Sequence, residues 1–298
     1  MKRLLALTAL LGLATAGPAD LTWTAPQLVP DRKSGDSVAV AYLGKTLHMV
    51  YRGRRKPNLY HSRFDGTRWS GEVEIGGRQS RATPALVALG DKLHMVSLGA
   101  DGNALYHAVW NGTFWSPEVE IGGRHSRNAP ALAVFEGQIH MTYVGEKSDK
   151  VYHSLFEGRY WTPEMSIPGA NSRARPALAA VGDKLHLVFR PNDGEELRHM
   201  TYSGNQWSGV SRIAVANSFA TPALAVVDST LYMLVTLDRE GSMGWATFSD
   251  GGWLGVRAIL GQKCGGGPGL AAAAGAPPLL HLVYRDPKAD TIWHAQGK

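Results

Sequence analysis

Ten of the eleven histidines of this chain fall into two recurring columns. His48, His94, His140, His186 and His281 stand in an LHM-like context, and Tyr232 takes their place once. His61, His107, His153, His199 and His294 form a second column, where Trp245 is the exception. Imidazole can ligate a metal, move a proton near neutral pH, or hydrogen-bond at both ring nitrogens. No H-x-H or HExxH spacing accompanies these histidines, so no metal and no other cofactor is expected. Two readings stay open: a buried hydrogen-bonding layer, or a contribution to ligand pockets.

A third column pairs a hydroxyl with a guanidinium: Ser80-Arg81, Ser126-Arg127 and Ser172-Arg173, with Arg78 and Arg124 three residues earlier. Guanidinium donates two parallel hydrogen bonds to carboxylate or sulfate, which points to an anionic ligand. The competing account has each arginine paired with a nearby carboxylate such as Glu72 or Glu118.

These columns share one step. Trp23, Trp69, Trp115, Trp161, Trp207 and Trp253 are each 46 residues apart, and Pro84, Pro130, Pro176, Pro222 and Pro268 keep the same interval. Each unit reads as four short strands: PALVAL, KLHMV, LYHAVW and WSPEVEI in its clearest copies. Asp65-Gly66 and Asn111-Gly112 separate the last two strands, and such pairs favour hairpin turns that need positive φ. Four strands per unit of about 45 residues is the sequence signature of a propeller blade. The expected fold is therefore all-β, a six-bladed β-propeller with four antiparallel strands per blade. The sixth unit stops after its third strand, TIWHAQ, while LTWTAPQLV near the start matches the missing fourth. The N-terminal strand is expected to complete the last blade, which removes an open sheet edge.

In that geometry the loop entering the innermost strand and the loop between the second and third strands share one face. The Ser-Arg column lies in the first loop class; Arg52, Arg54, Arg55, Lys56 and Arg190 lie in the second. The repeat decays late, with Phe219 at an arginine position and Cys264-Gly265 in place of Ser-Arg.

The opening MKRLLALTALLGLATA has a basic start, an apolar run and a small-x-small site, as secretory signal peptides do. Residues 1–16 are read as that signal and 17–298 as a single propeller domain, secreted to an extracellular or periplasmic space. Without Lys2 and Arg3 the 31 cationic residues fall to 29 against 25 acidic ones, a net +4. That mild excess favours an anionic partner. No dense basic run of nucleic-acid type and no mature membrane span is present. A lone cysteine leaves no internal disulfide, so packing must hold the domain.

The stretch DGNALYHAVWNGTFWSPEVEIGG resembles blades of propeller lectins, including the fungal fucose-binding lectins and related bacterial lectins, over nearly the whole mature chain. The hairpin SRFDGTRW is similar to a sialidase Asp-box, but lacks the spacer between Asp65 and Gly66. The resemblance implies a multivalent sugar binder with pockets near blade boundaries. In the fucose lectins an arginine, a glutamate and an aromatic ring clasp the sugar; here the two histidine columns occupy the equivalent middle strands, so fucose specificity does not carry over. The candidate ligand-binding residues are thus the Ser-Arg pairs and the first four histidines of each column. No catalytic residue is assigned, because no unique carboxylate pair of glycosidase type is found. Two alternatives stay open: an extracellular scaffold propeller that binds a protein partner on its loop face, and a sialidase-like glycosidase or polysaccharide lyase.

Overall fold

The computed structural model describes residues 21–273 and 279–298; the expected signal segment lies outside them. Every regular element among the described residues is a β-strand. In the second unit Ala85–Leu89, Lys92–Leu98, Ala104–Trp110 and Val119–His125 form an antiparallel sheet in chain order. The third unit repeats it with Ala131–Phe135, Gln138–Val144, Lys150–Phe156 and Met165–Asn171. The fourth unit runs Ala177–Val181, Lys184–Phe189, Glu196–Ser203, Ser211–Asn217, and the fifth Ala223–Val227, Thr230–Thr236, Ser242–Ser249, Arg257–Lys263. In these two units the Trp207 and Trp253 segments pair as short extra strands, giving five.

The remaining strands form one seven-stranded sheet. Its order is Gly269–Ala273, Leu279–Arg285, Thr291–Gly297, Gln27–Leu43, Thr46–Gly53, Asn58–Phe64 and Val73–Gln79. The long strand Gln27–Leu43 serves two neighbours. Gln27 and Leu28 pair with His294 and Trp293, whereas Val38 to Leu43 pair with Tyr51 to Thr46. Between these stretches the register slips on both sides, and Asp31 turns the chain with φ 59°. The two ends of the described chain also meet: Thr22 and Lys298 exchange backbone hydrogen bonds of 2.8 and 2.9 Å.

Burial explains why these sequences form these strands. In Lys92–Leu98 every residue after Lys92 is buried, so that strand is covered on both faces. In the outer strand Val119–His125 only Ile121 is buried. Apolar clusters accordingly lie between successive sheets. One joins Val96, Leu98 and Leu105 of the second unit to Ile139, Met141 and Phe156 of the third. Each such fully buried side chain contributes about 1.5–3 kcal/mol.

The innermost strands pack on one another in sequence. Gln27–Leu43 touches Ala85–Leu89, then contacts run on through Ala131–Phe135, Ala177–Val181, Ala223–Val227 and Gly269–Ala273, which packs back on Gln27–Leu43. They surround a small cavity of about 110 Å³ lined by Ala85, Ala131, Ala177 and Ala223. Small residues let six strands approach one axis.

Candidate functional site

The two histidine columns meet. On the hairpin of the second and third strands the members always lie 13 residues apart, which makes them diagonal neighbours on one face. The Nδ1 of the first and Nε2 of the second are separated by 2.9 Å in His48–His61 and by 3.0 Å in His94–His107, His140–His153 and His186–His199. His281–His294 completes the set at 2.8 Å. All ten rings are buried. Each second-column ring then meets the next unit edge-on: His61 faces Trp115, His107 faces Trp161, His153 faces Trp207, His199 faces Trp253, and His294 faces Trp69.

Hydrogen-bond donors fix the tautomers in two of these chains. The Trp115 indole N–H donates to Nδ1 of His61 at 3.3 Å, so His61 carries its proton on Nε2 and donates to Nδ1 of His48. Trp207, His153 and His140 repeat this at 3.4 and 3.0 Å. In the last pair Nε2 of His281 lies 2.7 Å from the Tyr42 hydroxyl. Burial drives these imidazoles far below their ordinary pKa, to about 4 for His48 and about 3 for His61, where a charge on His48 would add to the penalty. The same holds in the other four pairs. In the His48–His61 and His140–His153 pairs both Nδ1 lone pairs are spent on donors, so ligating a metal there would first break the chain.

The serine column sits inside its loops. Ser80 Oγ lies 2.7 Å from the carbonyls of both Ala82 and Leu98; Ser126 makes the same pair of bonds at 2.6 and 3.0 Å, and Ser172 at 2.8 Å to each carbonyl. All three serines are fully buried. Cys264 occupies the same position, with its thiol 3.0 Å from the Gly266 carbonyl.

The arginines of that column are exposed and lean on the loop between the second and third strands of their own unit. Arg127 pairs with Asp149 at 2.5 Å, Arg173 reaches the Gly194 carbonyl at 2.7 Å and Glu195 at 4.0 Å, and Arg81 donates to Asn103. The two loop classes therefore share one face, as the repeat implies. Their acceptors are these loop residues, not Glu72 or Glu118. Arg78 and Arg124 behave differently from the charge they were expected to add to those loops. Arg78 donates to the Ser116 carbonyl of the next unit and sits 3.7 Å from Glu118; Arg124 donates to the Thr162 carbonyl. Arg32 does the same to Ser70, and Gln262 to Thr24 at 3.4 Å. Each of these side chains ties its outer strand to the start of the next unit's outer strand, and burial desolvates the Arg32 and Arg78 guanidinium groups enough to lower their pKa.

Open clefts run between successive units on the outer side. One, of about 610 Å³, lies between the Val73–Gln79 strand and the hairpin of the second unit. The rings of Phe114 and Trp115 form one wall, Arg63 and Glu72 line it, and the buried His61 lies at its floor. Phe114 is 61% exposed on a hairpin tip, and Tyr160, 46 residues on, is equally exposed. The tip is rigid because Asn111 Oδ1 accepts from the backbone N–H groups of Thr113 and Phe114 at 3.0 Å each, while Gly112 supplies φ 99°. A hydrophobic ring held out in solvent beside charged side chains is suited to the face and hydroxyls of a sugar. The sequence reading passed over this position, because it holds Arg68, Phe114, Tyr160, Gln206 and Gly252 in turn. Its one signal was an aromatic residue directly before the repeated tryptophan.

No protein-family model matches this chain, and no curated protein sequence matches it. Solved structures do. The fucose-specific lectin of the fungus Aleuria aurantia, described as a six-bladed β-propeller, aligns with a TM-score of 0.66 at 14% identity, over 87% of this chain and 91% of its own. AofleA from Arthrobotrys oligospora aligns with a TM-score of 0.69 at 11% identity, over 92% of this chain and 85% of its own. A protein of unknown function from Dyadobacter fermentans aligns with a TM-score of 0.73 at 10% identity, over 94% of this chain and all of its own. The fold is a β-propeller, its antiparallel sheets are the blades, and the resemblance to propeller lectins read from the sequence is borne out at the level of structure.

Proposed function

We propose that this chain is a secreted, multivalent carbohydrate-binding protein, a six-bladed propeller closed by its N-terminal strand, with acidic glycans among its ligands. The observation that carries the glycan reading is the exposed aromatic ring standing in a cleft beside Arg63 and Glu72, renewed one repeat later by Tyr160. Weak sites repeated around a ring gain avidity without any new contact. The fucose specificity stated for the Aleuria lectin adds weight to a sugar ligand. The closure is supported by the double pairing of Gln27–Leu43 and by the Gln262–Thr24 bond, which repeats between the last two units the tie that Arg78 makes to Ser116. The acidic-glycan component rests on the exposed Arg81, Arg127 and Arg173, whose loop partners leave donors free toward solvent.

A glycan-array screen of the chain from residue 17 onward, with neutral and acidic glycans, tests this reading. Binding without turnover is expected. Release of reducing sugar or free sialic acid, abolished by changing one carboxylate, would replace the binder with an enzyme.

A further inference from the structure

The clefts between blades are not equal, and their differences single out one of them. At the seam between the sixth and first units lies a cleft of about 830 Å³, within the roughly 300–1,000 Å³ of small-molecule sites. One step of 46 residues on, the same backbone positions form a cleft of about 490 Å³. Both keep an aromatic wall: Tyr60 in the first, Tyr106 in the second. Tyr60 is stacked on Tyr51 at 5.7 Å, and a Cβ at Gly53 would lie 2.8 Å from its ring. The glycine is what lets the ring lie there.

Charge is what changes. In the seam cleft Arg32, Lys33, Arg54, Arg55 and Lys56 face Asp31 and Glu72. In its counterpart Arg78 alone faces Asp101 and Glu118. Neutral or acidic residues, Ala100, Asp101 and Gly102, stand where the seam has Arg54, Arg55 and Lys56. Two of the five seam cations are occupied: Arg32 donates to the Pro30 and Ser70 carbonyls, and Arg54 pairs with Asp290. The side chains of Lys33, Arg55 and Lys56 are exposed and have no hydrogen bond or ion pair among the described residues. The Nε of Arg32 is buried without an acceptor. Five cations against the two carboxylates of the cleft leave an excess of positive charge, and an oxyanion placed among the unpaired ones relieves their mutual repulsion.

We propose that the seam cleft is an oxyanion site that takes the carboxylate or sulfate of an acidic sugar, with Lys33, Arg55 and Lys56 as its donors and Tyr60 as the wall against which the sugar ring packs. The sugar part of this assignment rests on the glycan-binding reading above; the anion part rests on the cleft alone. It makes one blade junction of the ring different in specificity from the others.

The test uses calorimetry at low salt with three probes: a uronic-acid tetrasaccharide, its carboxyl-reduced neutral form, and inorganic sulfate. The acidic tetrasaccharide is expected to bind at least about tenfold more tightly than the neutral one, and to weaken as salt rises. The double variant R55D/K56G writes the neighbouring repeat's residues into the seam and should remove the seam's share of that preference, leaving only what Arg81, Arg127 and Arg173 contribute. The reciprocal variant D101R/G102K, made in that background, should restore it at the second cleft. Gly102 has no positive φ and open space around its Cβ, so it accepts a side chain. Equal affinity for the acidic and reduced tetrasaccharides, or an acidic preference untouched by R55D/K56G, would overturn the seam site and leave glycan binding standing. Sulfate binding that disappears in R55D/K56G, with neither tetrasaccharide bound, would keep the anion site and remove the sugar.

Discussion

The third and fifth units place different chemistry at one position. In the third, His140 and His153 are bonded at 3.0 Å between the rings of Phe135 and Tyr202. In the fifth, Tyr232 and Trp245 fill the same place with ring centroids 6.1 Å apart, and the Arg257 guanidinium lies 5.0 Å over the indole. The histidine pair is therefore one of two solutions to filling a space between blades, the other being aromatic bulk. A polar pair of this kind costs desolvation that its internal bond and the neighbouring indole offset. The lesson is that recurrence marks what the ring needs for packing, whereas the cleft residues, which differ from unit to unit, carry the selectivity.

The largest expected effect follows from the number of histidine pairs. Their folded pKa lies below the unfolded value of 6.5, so below pH 6.5 the unfolded chain takes up protons that the folded chain refuses. Stability is then complete above pH 6.5 and falls as pH drops toward 4. Each such proton costs about 1.4 kcal/mol per pH unit. Ten buried histidines together exceed the roughly 5–15 kcal/mol stability of an ordinary domain within one or two units. Circular dichroism should show cooperative acid unfolding between pH 6.5 and 4; an unchanged melting temperature at pH 4 would break the comparison at its root.

Deleting residues 17–30 comes next. On the proposed closure it strips the outer strand from Thr291–Gly297 and should produce aggregation or a large loss of thermal stability; a monomeric, equally stable truncation would refute the closure.

Exchanging the two solutions sharpens the comparison directly. His153→Ala leaves His140 without its donor and opens a cavity, at a cost of about 2–4 kcal/mol. The double exchange H140Y/H153W copies the fifth unit and should cost about 1–2 kcal/mol, and it should move the acid midpoint downward. A double variant as damaged as His153→Ala would mean that the two pairs are not equivalent.

Arg78→Ala should cost about 1–3 kcal/mol in chemical denaturation, since it removes the tie to the Ser116 carbonyl. The triple change of Arg81, Arg127 and Arg173 to Ala should cost the least stability, about 0–1 kcal/mol for each exposed pair, while lowering acidic-glycan binding. Unchanged binding by that folded variant would remove these arginines from the ligand face.

Much of this was legible in the sequence, because a 46-residue step is a physical statement: each blade meets the same neighbours. The turns at Gly66 and Gly112, the buried second strands and the placement of the Ser-Arg and second-to-third strand loops on one face all follow from it. The bond between the histidine columns was readable in principle from their constant spacing of 13, but only once the hairpin register was known. Arg78 and Arg124 looked like loop charge because sequence gives no sign that a guanidinium reaches a carbonyl of the next blade. Phe114 and Tyr160 escaped because repeat analysis rewards sameness, and their column changes in every unit.

The central claim is that the exposed rings of Phe114 and Tyr160 mark sugar-binding sites, and that both are filled at once. Titration calorimetry of a glycan found in the array screen measures it most directly, in the wild-type protein and in Phe114→Ala, Tyr160→Ala and the double variant. Both rings are exposed, so melting temperatures should not change. The account predicts more than one glycan per chain, with the stoichiometry falling by one for each ring removed; an unchanged stoichiometry in the folded double variant would contradict it.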